Sequence, residues 1–370
     1  MQIIVLGGAG DMGSRAVEEL STAEGVTRVT IADRNVPGAE MLAARLAGRS
    51  AKVDVRAVDA RSHDDLVEAM RGYDVAASAL GPFYLFEAKL VAAALDAGVN
   101  YCSICDEWQA AEEIFTRYDE PARAKGRIVL TGLGTSPGMS NVAIRHLADG
   151  MDRVRGANVY CYQPLTAGGG EAVLRHMLFI MTGDTRVWRG SRWQTVRACS
   201  EEHVIEFPKF GRLKVWNMGH SEPATVPRYF PGIEEVNFFM GYGRAAMLFV
   251  WPARQGWFAR PGCVEFTVKL ATFIERLFAG KAPDPGALRI DVWGLQNGAE
   301  VHRTLCGTGT MREATGLSLA VGALMLARGE VVASGGVFAP EGCLDARRFI
   351  ERLRALGVAA FEDLAMTRPI

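Results

Sequence analysis

A short apolar run that breaks into regularly spaced glycines restricts this chain more than anything else in it. Gln2 to Leu6 is rich in Ile and Val, Gly8-Ala9-Gly10-Asp11-Met12-Gly13 follows, and Ser14 to Leu20 continues in helical period. Strand, G-x-G-x-x-G and helix, in that order, form a dinucleotide-binding turn. Gly8 permits the tight turn, Gly10 lets backbone approach a pyrophosphate, and Gly13 lets the helix close on the sheet. The helix start, with Asp11 and Met12, offers N–H groups and a positive dipole end to phosphates. Val29-Thr30-Ile31-Ala32-Asp33 is a second β-type run, ending on an acid 20 residues after Gly13, where such a fold holds the ribose hydroxyls. The expected cofactor is therefore NAD or NADP. Asp33 favours NAD, because a carboxylate repels a 2′-phosphate, whereas Arg34 beside it could pair with that phosphate.

The alternation continues. Gly38 to Leu46 reads as helix, Val53 to Val58 as a strand ending at Asp59, Asp64 to Met70 as helix and Val75 to Leu80 as strand. Gly81-Pro82-Phe83 punctuates a strand-to-helix turn, expected at the carboxyl edge of a parallel sheet beside the cofactor. Phe86 to Ala97, Val99 to Ile104 and Ile128 to Leu130 extend the pattern. The spacing predicts an α/β fold with a Rossmann-type, doubly wound parallel sheet. After the glycine-rich loop Gly132 to Asn141 the texture changes: Val154 to Tyr162, Val204 to Phe207, Leu213 to Met218, Val236 to Met240 and Leu288 to Leu295 read as strands. Thr166 to Gly170 reads as a turn and Glu171 to Thr182 as a helix, giving a mixed α/β second domain. Leu317 to Ala327 and a last helix through Leu356 close the chain.

Composition supports a two-domain globular protein: 370 residues, 49% apolar, net charge −1. That balance argues against sequence-independent nucleic-acid binding. Neither a signal peptide nor a membrane span is expected, since the N-terminus lacks a basic region and the longest late apolar run is too short. A cytoplasmic protein without membrane or nucleic-acid partners is the expectation. Seven scattered cysteines are no disulfide framework.

Several segments together resemble the saccharopine dehydrogenase-like oxidoreductases, over nearly the whole chain. They are Val5 to Gly13, Ile31 to Asn35, Ala79 to Phe83, Gly98 to Cys102, Gly132 to Asn141, Gly219 to Arg228 and Gly335 to Glu341. Gly219-His220-Ser221-Glu222-Pro223 and Ser136-Pro137-Gly138-Met139-Ser140-Asn141 carry most weight, because neither is a general dinucleotide-fold feature. The resemblance implies an N-terminal cofactor domain, an inserted α/β domain and a C-terminal segment returning to the first. It places the cofactor domain at 1–132 plus 308–370 and a substrate and dimerisation domain at 133–307. It also implies a homodimer acting on a C–N bond of a small-molecule amino acid, amine or imine. Cys102-Ser103 departs from the family's Tyr-Val-Asp pattern, which leaves the substrate open.

Hydride transfer is the cofactor's chemistry, so the protein must orient substrate and move a proton. Asp106 begins an Asp-x-x-Gln capping-box pattern and reads either as an N-cap or as an acid–base group at a strand end. Glu107 reads as a first-turn charge. Tyr84 could donate a proton or simply pack. His220 could titrate near neutrality or be structural, and Glu222 beside it is a substrate-binding candidate, as is Ser136. Arg175, next to His176, could clamp a carboxylate or be a solvated cation. Cys102-Ser103-Ile104-Cys105 lacks the further ligands of a zinc site, so no metal is expected. Three other functions share these features: a nucleotide sensor without turnover, a homospermidine synthase-like transferase using NAD transiently, and a reductase of carbon–carbon double bonds on lipid-like substrates.

Overall fold

The computed structural model describes residues 1–164, 167, 170–243, 247–277 and 284–370. Ile3, Ile4, Val5 and Leu6 are fully buried, so β1 (Gln2–Leu6) is covered on both faces, as strands of a parallel sheet between helical layers are. The chain continues through α1 (Asp11–Leu20), β2 (Arg28–Asp33), α2 (Val36–Arg45), β3 (Lys52–Ala57), α3 (His63–Met70) and β4 (Val75–Ser78). Then come α4 (Phe83–Ala97), β5 (Asn100–Ser103), α5 (Trp108–Ala124), β6 (Ile128–Leu130) and α6 (Met139–Leu147). Local chemistry sets the helix ends. The Asn35 side chain accepts from the Gly38 N–H at 3.2 Å to start α2, Ser62 accepts from the Asp65 N–H to start α3, and Gly98 in the left-handed region ends α4.

The middle of the chain forms β7 (Arg153–Tyr162), α7 (Gly170–Ile180), β8 (Asp184–Arg189), β9 (Trp193–Arg197), β10 (Glu202–Phe207), β11 (Gly211–Asn217), the single turn α8 (Glu222–Thr225) and β12 (Glu235–Gly241). It continues with α9 (Met247–Arg254), α10 (Pro261–Leu277), β13 (Gly286–Gln296) and β14 (Ala299–Gly309). The expected turn at Thr166–Gly170 lies outside the described residues, apart from Ala167 and the helix start at Gly170. The return comprises α11 (Met311–Ala327), β15 (Gly336–Phe338), the short α12 (Pro340–Cys343) and α13 (Ala346–Ala355).

Contacts divide the chain into two units, 1–142 with 312–356, and 143–311 with 357–370. The sequence places the breaks at 132/133 and 307/308 and carries the return to 370, whereas the contacts place 357–370 with the second unit. In the first unit, seven parallel strands run in the order β15-β6-β5-β4-β1-β2-β3. The return segment adds β15 beside β6 and lays α11 on α1. A Cβ at Gly316 would lie 2.5 Å from that of Arg15, so only glycine allows this approach. In the second unit, the strand order β10-β11-β12-β7-β13-β14 mixes one parallel pair, β12 with β7, among antiparallel ones. Strands β8, β9 and β14 had escaped the sequence reading. β14 left a signal nonetheless: Asn297-Gly298, both at positive φ, is the two-residue hairpin turn that joins it to β13.

Gly156 on β7 sits opposite Trp293 on β13, and a Cβ there would meet the indole at 2.1 Å. Gly156→Ala is expected to destabilise the second unit by about 1–3 kcal/mol through overpacking. Calorimetry checks this; an unchanged midpoint would mean the indole moves aside at no cost.

Candidate functional site

The glycine run of the first unit forms a cradle in which each missing side chain has a reason. A Cβ on Gly13 would come 2.2 Å from the Gly7 carbonyl oxygen, and one on Gly8 would come 2.9 Å from that of Val5. Gly7, which the motif reading passed over, turns the chain at φ +72° against the backbone of Ala79. Gly10 is the N-cap of α1 and has no side chain to bond the first-turn N–H groups of Asp11, Met12 and Gly13. Those groups remain for an anionic ligand. Burial raises the Asp11 carboxyl, and Arg312, 3.3 Å away, draws it back down.

Asp33 closes the cradle. Its carboxylate accepts from the Ala9 N–H at 3.0 Å and from the Asn35 N–H at 2.9 Å, so the acid at the end of β2 is tied to the glycine loop itself. Arg34 is exposed. Asp59 carries a bidentate contact from Arg61, 2.9 and 2.7 Å, which holds its carboxyl at about 2. Gly81 and Pro82 are exposed at the start of α4, whereas Phe83 packs inward with Cys105 and Ala110. The cradle that a Cβ would fill, the uncapped helix start and the acid beside them fit a nicotinamide dinucleotide.

The carboxyl end of β5 differs from expectation in one respect. Asp106 does not cap α5: the N-cap is Glu107, the helix begins at Trp108, and no side chain makes the cap bond. The Glu107 carboxylate turns instead to the start of α4 and accepts from the Tyr84 N–H at 2.5 Å. Its charge thus complements the dipole of α4 rather than of its own helix. The Tyr84 side chain is half exposed. Ser136 follows β6 in a loop where Asn141 Oδ1 accepts from the Gly138 N–H at 2.9 Å. Beneath this edge lies a group that the sequence reading missed. Glu87 of α4 is fully buried and accepts from the Ser103 hydroxyl at 2.5 Å and the Tyr101 hydroxyl at 3.0 Å. Desolvation pushes its carboxyl up to about 7. Cys102 and Cys105 are buried beside it, and both thiols are raised by burial and by its charge, so neither is a ready thiolate.

In the second unit, Gly219 donates to the Ile180 carbonyl at the end of α7, anchoring the segment that carries His220 and Glu222. The two are buried and joined, Nδ1 to Oε2, at 2.5 Å. The imidazole also lies flat on Phe238, ring centroids 3.8 Å apart and 9° from parallel. A carboxylate on Nδ1 fixes the tautomer and leaves Nε2 as the basic nitrogen. His176 of α7 brings a ring nitrogen to within 4.8 Å of one on His220. Burial, with Glu222 nearby, pushes the Cys161 thiol up to about 12. Arg175 is engaged elsewhere: its guanidinium binds Glu265 through both nitrogens, at 2.7 and 3.1 Å. The fork expected to hold a substrate carboxylate is thus occupied within the unit.

Residues 3–130 match the family model described as saccharopine dehydrogenase NADP binding domain. Over that stretch the chain is similar to the saccharopine dehydrogenases. Apo saccharopine dehydrogenase (L-Glu forming) of Saccharomyces cerevisiae has the same fold, with a TM-score of 0.68 at 13% identity over 96% of this chain and 98% of that one. A carboxynorspermidine synthase of Vibrio cholerae is 22% identical over 72% of this chain and 69% of its own length. A carboxyaminopropylagmatine dehydrogenase of Synechocystis is 24% identical over 66% and 63%. Two of these three proteins are named dehydrogenases, and the matching family model is that of an NADP binding domain. No helix among the described residues is long and apolar enough to cross a membrane.

The buried Glu87 gives a pH signature. Its proton stays on in the folded protein up to about 7, but an ordinary glutamate releases it near 4.5. Between those values the folded state binds more protons, so stability falls as pH rises. Relative to Glu87→Gln, the wild type is expected to lose about 3 kcal/mol between about pH 4 and pH 8. Denaturant titrations across that range check this; a constant difference would show that Glu87 does not keep its proton.

Proposed function

We propose that the protein is an NAD(P)-dependent oxidoreductase acting on the C–N bond of an amino acid, amine or imine. The observation that carries the redox reading is the glycine cradle closed by Asp33. The choice of an amine substrate is supported by the relatives, whose names are those of enzymes of carboxylated polyamines and of saccharopine.

In this reading Gly8, Gly10 and Gly13 let the backbone approach the pyrophosphate, the N–H groups of Asp11 and Met12 bind it, and Asp33 takes the ribose hydroxyls. When bound, the nicotinamide exchanges a hydride with the substrate. His220 exchanges the substrate's proton at Nε2. Glu222 serves as its orienting partner rather than as a substrate ligand, stabilising the imidazolium while the proton is held. Asp106 and Tyr84, at the carboxyl edge of the first unit's sheet, are second candidates for proton transfer, and Ser136 for substrate contact. Asp33 favours NAD; the exposed Arg34 gives a 2′-phosphate its own partner should NADP be used.

Two measurements test the assignments. Nicotinamide fluorescence should show NADH binding tighter than NADPH, with Asp33→Ala reducing that preference about tenfold, or about 1.4 kcal/mol. No binding of either nucleotide would end the redox reading. With a substrate found among carboxylated polyamines, saccharopine or cyclic imines, His220→Asn should lower kcat about 10²- to 10⁴-fold while nucleotide affinity holds. Wild-type kcat in that variant would move the role to Asp106 or Tyr84.

A further inference from the structure

Helices of a folded unit bury one stripe and give the other to water. α9 and α10 do not. Val250, Ala253, Phe258 and Val268 of this segment point into the core of the second unit. On the outside, Leu248 is 73% exposed, Trp251 53%, Trp257 48%, Phe266 68% and Leu270 47%. Leu248 and Trp251 are three apart on α9, and Phe266 and Leu270 four apart on α10, so each pair shares a face. The Trp251 and Trp257 rings meet edge to face, centroids 5.9 Å apart, across the short connection between the helices. Solvent-facing apolar side chains gathered in this way mark an interaction surface.

The charges around the face select the partner. Arg260 and Lys269 are exposed on it. Arg197 donates to the Arg254 carbonyl at 2.5 Å, which brings a further exposed cation to the end of α9. Of the two acids in α10, Glu265 and Glu275, Glu265 is bound at both oxygens by Arg175. An otherwise slightly acidic chain, net charge −1, thus carries a cationic rim around tryptophan, phenylalanine and leucine. Exposed cations around such a face are complemented by an anionic partner. An anionic surface that is apolar just beneath its charges satisfies both halves, and tryptophan is at home at that boundary.

We propose that the α9–α10 face docks on an anionic lipid bilayer, lying in the headgroup region without crossing it. Trp251, Trp257, Leu248 and Phe266 would enter the acyl boundary, and Arg260 and Lys269 would meet the headgroups.

The test uses the full-length protein and vesicles of phosphatidylcholine, alone or mixed with phosphatidylglycerol. The protein should sediment with the mixed vesicles and weakly or not at all with the neutral ones. Its tryptophan emission should shift to the blue, and salt should reverse the binding. Arg260→Gln and Lys269→Gln should each weaken it about fivefold. Trp251→Ser with Trp257→Ser should abolish it while circular dichroism and nicotinamide nucleotide affinity stay as in the wild type. Failure to bind mixed vesicles overturns the proposal, as does equal uptake by neutral ones. A dimer in sedimentation velocity that the paired serine substitutions dissociate, without vesicle binding, overturns it in favour of a second copy. None of these outcomes depends on oxidoreductase turnover.

Discussion

The approach of Gly13 to Gly7 is the constraint on which the first unit turns. A single Cβ there would sit 2.2 Å from a carbonyl oxygen, so the start of α1 reaches the end of β1 only because that atom is missing. This proximity leaves the Gly10 end of α1 uncapped beside the sheet edge. The Ala9 N–H then lies where the Asp33 carboxylate can take it. The contact that would admit a dinucleotide also links β1, α1 and β2. A larger residue at 13 would therefore disturb packing and ligand site together.

What could be read in the sequence follows from how local each determinant is. Most of the first six strands and the cradle were legible because a buried parallel strand is a continuous apolar run and glycine spacing is local; β3, at the sheet edge and nowhere buried, shows instead as an alternation of Val53 and Val55 with polar residues. The second unit was only partly so. β9 reads Trp193-Gln194-Thr195-Val196-Arg197 and is half exposed throughout, which gives no periodic signal. β14 is an edge strand of mainly polar residues, betrayed only by its Asn-Gly turn. Asp106 shows the limit of motif reading. The capping-box spacing was present, but the chain placed the cap one residue later and sent the Glu107 carboxylate to a neighbouring helix. Capping by a side chain distant in sequence leaves no pattern to find.

Glu87 was hidden for another reason. A lone glutamate reads as solvated by default, although the apolar residues Phe83, Leu90, Val91 and Ala94 at helical spacing around it mark its face as the buried one. Only the fold reveals that Tyr101 and Ser103, on a different element, supply the hydroxyls that make its burial tolerable. The chain carries Ser103 where the family pattern has an aspartate. A second carboxylate there would stand against Glu87 in the same dry space and raise its pKa further, whereas a hydroxyl donates to it.

The same reasoning separates the two glutamates chemically. Glu87 faces neutral hydroxyls, and desolvation keeps its proton on, so it acts as a packed, hydrogen-bonded acid within the sheet. Glu222 faces an imidazole 2.5 Å away that can carry the compensating positive charge. A carboxylate hydrogen-bonded to an imidazole in a dry environment holds the ring in one orientation and offsets positive charge on it. Phe238 stacked on the ring excludes water from one side and prevents the imidazole from rotating away from its partner. Of these two glutamates, Glu222 is the one paired with an imidazole, and Glu87 the one held by hydroxyls.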